Sequence, residues 1–148
     1  MKKTFPFFLL LVFFLSSCVP SKQIQLADQR VKEEKWDEAF DLYRKEAQKH
    51  PNNRELQEKM AQVRLKAGGL HYLKGKELMK SKNFEGGIDE FRKAMAFDQE
   101  KIEYQTALIQ ATRYKESEDR YQAAEKLIRA GHLEEAAEEG SDKEEQGE

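Results

Sequence analysis

Apolar residues recur at three- and four-residue steps through residues 70–98, as expected for helices that each bury one face. Polar residues at 81–83 separate two such runs, which predicts a tight turn between two antiparallel helices. The buried positions are expected to be Leu70, Leu73, Leu78, Phe84, Ile88, Phe91 and Met95. Runs that alternate apolar and polar residues are few, and Asn-Gly and Asp-Gly hairpin signals are absent from the sequence. The pattern therefore predicts an all-α fold.

This helical pattern occurs three times along the chain. One constant shift aligns an earlier stretch with the central one, and the aligned pairs are Trp36 with Phe84, Ala39 with Gly87, Tyr43 with Phe91 and Pro51 with Gln99. A shift longer by one position aligns 121–128 with 72–79, and 131–136 with 82–87. Three copies of one pattern predict a repeat architecture.

The central copy resembles a tetratricopeptide repeat (TPR) at the family's small and aromatic positions, which are Gly75, Phe84, Gly87, Phe91 and Ala94. The sequence departs from the family at His71, Lys74, Gly87 and Gln99, so the second helix fits better than the first. The resemblance implies antiparallel helical hairpins stacked as a TPR-like solenoid over residues 24–139. It also implies a partner-binding groove on the first helices, formed by Tyr72, Lys76, Lys80, Tyr121, Glu125 and Arg129. The alternative, that the two tyrosines pack on the neighbouring repeat, stays open.

The repeat is longer than the roughly 34 residues of a TPR by about four helical turns. Residues 54–67 and 101–115 are therefore interpreted either as helical insertions that keep the apolar face aligned or as degenerate repeats. One apolar face continues through 56–70, so the helix before Ser81 is expected to span nearly thirty residues. Gly68-Gly69 lies in its middle and is compatible with a kink, a break or a close approach of a neighbour.

The amino-terminal segment has the features of an export signal, with Lys2 and Lys3 followed by an apolar run over residues 5–15. Such a run covers roughly 16 Å as a helix, too little for a bilayer core of about 30 Å. Leu15-Ser16-Ser17-Cys18 resembles the lipobox of bacterial lipoproteins, which implies a signal peptide over 1–17, a lipid on Cys18 and a tether over 18–23. Val19 in place of aspartate favours the periplasmic face of the outer membrane over the inner membrane. The alternative is an ordinary signal peptide with an incidental cysteine.

The remaining composition offers little for chemistry. The three histidines, at 50, 71 and 132, are dispersed and lack a second His or Cys at ligand spacing, so no metal or cofactor is expected and the histidines are placed at the surface or in turns. A formal net charge of −2 and the export signal disfavour nucleic-acid binding. No catalytic constellation is recognisable, so we do not expect an enzyme. Residues 140–148 are predicted to form a disordered acidic tail.

A lipobox followed by TPR-like units resembles the front region of secretin-type secretion or pilus proteins and the small lipoproteins that help to assemble such pores. That resemblance implies a membrane-anchored periplasmic scaffold or adaptor that binds an envelope protein. Two alternatives remain at this stage: an accessory factor or activator of cell-wall (peptidoglycan) metabolism, and a passive spacer.

Overall fold

A computed structural model describes residues 21–131, which form five helices. The helices are α1 Lys22–Lys32, α2 Trp36–Lys49, α3 Arg54–Lys80, α4 Phe84–Phe97 and α5 Ile102–Ala130. The described residues contain no strand, so the prediction of an all-α fold is confirmed. The expected signal peptide, Cys18, the second helix of the third copy and the acidic tail lie outside the described residues.

Local sequence accounts for the helix starts in the middle of the chain. The Asn53 side chain accepts a hydrogen bond from the backbone of Leu56 at 3.1 Å and caps α3. Asn83 caps α4 in the same way, through the backbone of Gly86 at 3.0 Å. Such caps satisfy amide groups that have no partner inside the helix. The tight turn at residues 81–83 is therefore where the sequence predicts it.

The repeat is visible in the backbone. Helices α2 and α4 both have 14 residues, and their first residues, Trp36 and Phe84, are an aligned pair of the sequence repeat. In the turns before them, Glu34 and Lys82 have positive φ angles of 57° and 60°. Gly131, the counterpart of Lys82 in the third copy, has a φ of 85° and ends α5. A residue with left-handed backbone conformation thus follows a helix at each of the three repeat positions.

Consecutive helices pack on one another, from α1 on α2 through to α4 on α5. Short connections make such neighbours antiparallel. The first half of α3 joins α1 and α2 in a first core, whose buried residues are Ala27, Ala39, Tyr43, Ala47, Leu56 and Val63. The second half of α3 joins α4 and α5 in a second core, which contains Ile88, Phe91 and Ala111 with Tyr72, Met79, Ala107 and Leu108 packed around them. Helix α3 therefore links two cores.

Gly68 and Gly69 do not interrupt α3, which continues for 27 residues. A Cβ atom at Gly68 would lie 3.2 Å from the Cβ atom of Phe97 and 3.2 Å from the hydroxyl of Tyr104. The sequence is compatible with a kink, a break or a close approach of a neighbour at this glycine pair, and the structure shows the close approach, at Gly68. The neighbours that approach Gly68 are side chains from the end of α4 and the beginning of α5.

The prediction that Leu70 and Leu73 are buried is wrong, since they are 41% and 56% exposed. Buried instead are small residues of α3, namely Ala67, Gly68 and Gly75. The reason is that α3 packs on α2 with its first half and on α4 with its second half, so its buried face changes direction along the helix. The predicted burial of Ile88 and Phe91 on α4 is confirmed.

Candidate interaction surfaces

Tyr72 and Tyr121 occupy the same repeat position but have different environments. The ring of Tyr72 lies 5.8 Å from that of Phe91 and 5.3 Å from that of Tyr104, measured between centroids. Tyr72 therefore packs where α3, α4 and α5 meet. Tyr121 on α5 is 50% exposed. The alternative of packing on the neighbouring repeat thus describes Tyr72, whereas Tyr121 presents half of its surface to solvent.

The other four residues of the expected groove are charged and lie on the same two helices. On α3, the Lys76 ammonium stands 5.5 Å from the centre of the Tyr72 ring, and Lys80 pairs with Glu77 at 2.7 Å. On α5, Arg129 donates to Glu125 at 2.5 Å. These contacts are local to each helix, so their charged groups remain at the surface.

The exposed side of α3 carries an apolar saddle, which we define as Leu65, Gly69 and Leu73. Both leucines are 56% exposed, and a Cβ atom at Gly69 would meet nothing within 4 Å. Because residues four apart lie on one helix face, the glycine forms a notch between two raised leucines. Lys66, Lys76 and Lys80 lie on the same helix beside the saddle, and Lys80 is paired with Glu77 at 2.7 Å. A partner backbone could approach closely at Gly69 while its side chains contact the leucines.

Two surface grooves repeat with the chain's period. The first has a volume of about 300 Å³ and lies between the α1–α2 turn and α3, where it is lined by Trp36, Ala67, Leu70, His71 and Lys74 among others. The second has a volume of about 420 Å³, and its corresponding lining residues are Phe84, Lys115, Glu118, Asp119 and Gln122. Each of these five residues follows its counterpart by the shift that relates Trp36 to Phe84. The shape recurs, whereas the mostly apolar surface of the first groove becomes mostly polar in the second.

A charged cluster joins the two hairpins at His71. Its Nδ1 atom lies 2.6 Å from Glu90 on α4, and its Nε2 atom lies 3.0 Å from Asp37 on α2. The ring also stacks on Phe97, with centroids 5.7 Å apart. From the sequence we expect the histidines at the surface or in turns, whereas His71 lies in the middle of α3 and exposes only 15% of its side chain, at the first groove. Sequence reasoning missed the cluster because its members are 34 and 19 residues apart.

The buried carboxylate of Glu90 is the electrostatic centre of that cluster. Lys74 and Lys93 donate to it at 3.0 and 2.8 Å, in addition to the contact with His71. Burial by itself would raise the pKa of Glu90, but the hydrogen bonds from Lys93, His71 and Lys74 outweigh it and lower the pKa to about 2. A buried carboxylate with three cationic or donor partners is a structural ion-pair network, and it holds α3 against α4.

Within residues 21–131, no group of three or more His, Cys, Asp or Glu side chains has the arrangement of a metal site. None of the five helices is long and apolar enough to cross a bilayer. Comparison of the chain with protein-family models, curated proteins and solved structures finds no match.

Proposed function

We propose that this protein is a membrane-anchored periplasmic scaffold whose antiparallel hairpins stack as a TPR-like solenoid and hold another envelope protein near the membrane. The recurrence of helix length and turn conformation between α2 and α4 supports the repeat architecture. The lipobox-like run that ends in Cys18 supports attachment through a lipid, at the outer membrane in this proposal. Assembly of a secretion or pilus apparatus is the process in which we place the protein, on the sequence resemblance alone.

The observation that carries the adaptor role is the apolar saddle. Two large apolar side chains at 56% exposure flank an open glycine on the long helix that both hairpins share. Close backbone approach at a small residue, with apolar contacts on either side, is a geometry that suits a docked helix or extended segment. The lysines at 66, 76 and 80 give the surroundings a positive charge, so the partner segment should carry apolar residues and carboxylates.

A photo-crosslinking amino acid at the exposed position 76 of the full chain, about one helical turn beyond Leu73, tests this role when the protein is expressed in its own host. It should give discrete cross-linked products with envelope proteins, whereas the same group at the exposed position 45 on α2 should not. Changing Leu65→Glu and Leu73→Glu together should remove those products, because carboxylates in the saddle would repel an acidic segment and remove apolar area. The control Ile109→Glu makes the same chemical change at a residue that is 54% exposed on α5.

The outcomes separate an adaptor from a spacer. Products that persist in the Leu65→Glu/Leu73→Glu variant, or that occur equally at position 45, would contradict docking at the saddle. Circular dichroism of each variant checks that helix content is kept. Incorporation of a fatty-acid analogue, compared between the natural chain and Cys18→Ala, tests the lipid independently. Labelling and membrane fractionation that survive the substitution would rule out a lipid on this cysteine.

A further inference from the structure

Helix α3 contains three glycines, and side chains of other helices cover two of them. A Cβ atom at Gly75 would lie 2.6 Å from the ring of Phe91 on α4, and one at Gly68 would lie 3.2 Å from the hydroxyl of Tyr104 on α5. A Cβ atom at Gly69 would meet nothing within 4 Å among residues 21–131. Glycine is unfavourable inside a helix. The fold of the described residues therefore gives no reason for the glycine at position 69.

The two covered glycines indicate what kind of group suits the open one. In both cases an aromatic side chain from a neighbouring helix rests directly on the backbone of α3. The ring of Phe91 comes from α4, which runs antiparallel to α3. Leu65 and Leu73 stand one turn before and one turn after Gly69, where they would contact the two sides of such a ring. The notch therefore fits a large apolar side chain presented by another helix.

The backbone of α3 offers no hydrogen bonds to an extended segment. The helix is continuous from Gln62 to Lys76, so its amide and carbonyl groups are bonded to one another along this face. An extended segment docked here would leave the backbone groups that face α3 without partners, whereas a helix satisfies its own. We therefore expect an amphipathic helix, rather than a strand, at the saddle.

The charges along this face of α3 have a direction. Glu58 lies near the start of the helix, and Lys76 and Lys80 lie near its end, all within about 20° of Gly69 around the axis. Glu58 and Lys80 pair with residues of α3 itself but remain 61% and 70% exposed, so a partner can reach them. Helices favour acidic residues in the first turn and basic residues in the last, because of the helix dipole. A partner helix with this pattern matches the charges of α3 when it runs antiparallel.

We propose that the saddle binds an amphipathic helix of an envelope protein, which runs antiparallel to α3 and places a large apolar side chain over Gly69. The first turn of that helix carries carboxylates beside Lys76 and Lys80, and its last turn lies near Glu58. This inference rests on the adaptor role proposed above, to which it adds the conformation, the direction and the central side chain of the partner segment. Residues 132–148 of this chain and a second copy of it are other occupants, which the experiment distinguishes.

Cross-linking from two positions on this face measures the conformation and the direction of the bound segment. The photo-crosslinking amino acid is placed at position 62 or at position 76 of the full chain in its own host, and mass spectrometry identifies the residue that it captures. These two exposed positions are separated by about 21 Å along α3. An antiparallel helix predicts two captured residues about 14 apart in one segment of the partner. The residue captured from position 76 should lie nearer the partner's amino terminus.

Two outcomes would overturn this inference while the adaptor role stands. Captured residues about six apart would show an extended segment, since a strand advances about 3.3 Å per residue. The opposite order of the captured residues would show a parallel helix. Products that map to residues 132–148 or to a second copy would exclude a partner protein from the saddle. The absence of products at both positions would contradict the adaptor role itself, and this inference with it.

Filling the notch tests the contact at Gly69 in chains that carry the cross-linker at position 76. Gly69→Leu should lower the yield of the partner product roughly tenfold, because the leucine occupies the space of the partner's side chain. Gly69→Ala should give a smaller loss in the same direction. Ala96→Leu adds the same leucine at an exposed position on α4 and should leave the yield unchanged. Unchanged yields in both Gly69 variants, with helix content kept by circular dichroism, would contradict a side chain over Gly69.

Discussion

Two glycines of α3 show how much the function of one residue depends on its neighbours. A Cβ atom at Gly75 would lie 2.6 Å from the Phe91 ring, whereas one at Gly69 would meet nothing within 4 Å. Without a side chain at position 75, the aromatic ring of α4 rests directly on the backbone of α3. Gly69 has no such neighbour, and its role in our proposal is to leave a notch for a partner.

The two glycines should therefore respond in opposite ways to alanine. Gly75→Ala gains about 1 kcal/mol of helix propensity but forces the Phe91 ring to move, and overpacking of this kind costs about 1–3 kcal/mol. We expect net destabilisation. Gly69→Ala should stabilise the protein by up to about 1 kcal/mol, because it gains propensity without a clash. Chemical denaturation of both variants measures the difference, and equal free energies of unfolding would contradict the packing at Phe91.

Glu90 should make part of the stability depend on pH. Its pKa in the folded protein is about 2, below the ordinary value of 4.5, so its contribution is present above pH 4.5 and is lost as pH falls towards 2. A difference of that size corresponds to roughly 3 kcal/mol. Glu90→Gln should therefore be least stable relative to the natural chain near neutral pH, and the gap should narrow below pH 4.5. The exposed neighbour Asp89, substituted by asparagine, serves as the control. A gap that stays constant from pH 6 to 3 would contradict this account.

At the scale of helices and turns, the sequence predicts those features that depend on residues close together in the chain. The turn at 81–83, the long α3 and the spacing of the repeat all follow from apolar periodicity, which the chain encodes within each helix. Apolar periodicity did not predict which sides of α3 are buried. A periodic pattern assumes one buried face, but α3 contacts α2 and α4 on different sides, so Leu70 and Leu73 are exposed.

The candidate interaction surfaces show the same limit of prediction from sequence. The sequence placed Tyr72 and Tyr121 at one repeat position, but only the structure separates a packed ring from a half-exposed one. In the folded structure, His71, Asp37 and Glu90 come together from three helices. No short-range signal links these residues, because Glu90 and Asp37 are 19 and 34 residues away from His71 in the sequence.

The recurring turn gives a prediction at the scale of the element. Glu34 and Lys82 adopt positive φ angles that cost residues with a side chain roughly 1–2 kcal/mol, whereas the third copy has Gly131 at this position. Lys82→Gly should therefore stabilise the protein by about 0.5–1 kcal/mol, after the extra chain entropy of glycine is subtracted. Ser81→Gly should destabilise it, since Ser81 has a φ of −82° and its hydroxyl donates to the Leu78 carbonyl at 2.9 Å. Thermal unfolding distinguishes the two. Loss of stability in Lys82→Gly would contradict strain at this turn.

At the scale of the whole molecule, the two cores share α3 and meet at the His71 cluster. Proteins built of repeated units gain stability from each unit and from contacts between neighbouring units, so their parts can open separately, and our proposed repeat architecture implies the same here. The first core is additionally fixed by Asp28, which accepts hydrogen bonds from Tyr43 and Lys59. The second depends on Phe91, which is 2% exposed and rests on Gly75. Each core thus has a large side chain whose removal should affect that core most.

Hydrogen exchange measured helix by helix tests this division. Tyr43→Ala removes a side chain that is 2% exposed, and Phe91→Ala removes its counterpart in the central copy, each at a cost of about 3–5 kcal/mol. We expect Tyr43→Ala to speed exchange in α1 and α2 well beyond the change in α4. Phe91→Ala should do the reverse, and α3 should respond in its first half to one variant and in its second half to the other. Equal acceleration of all five helices by both variants would show that the two cores unfold as one unit, with the His71 cluster strong enough to prevent either hairpin from opening alone.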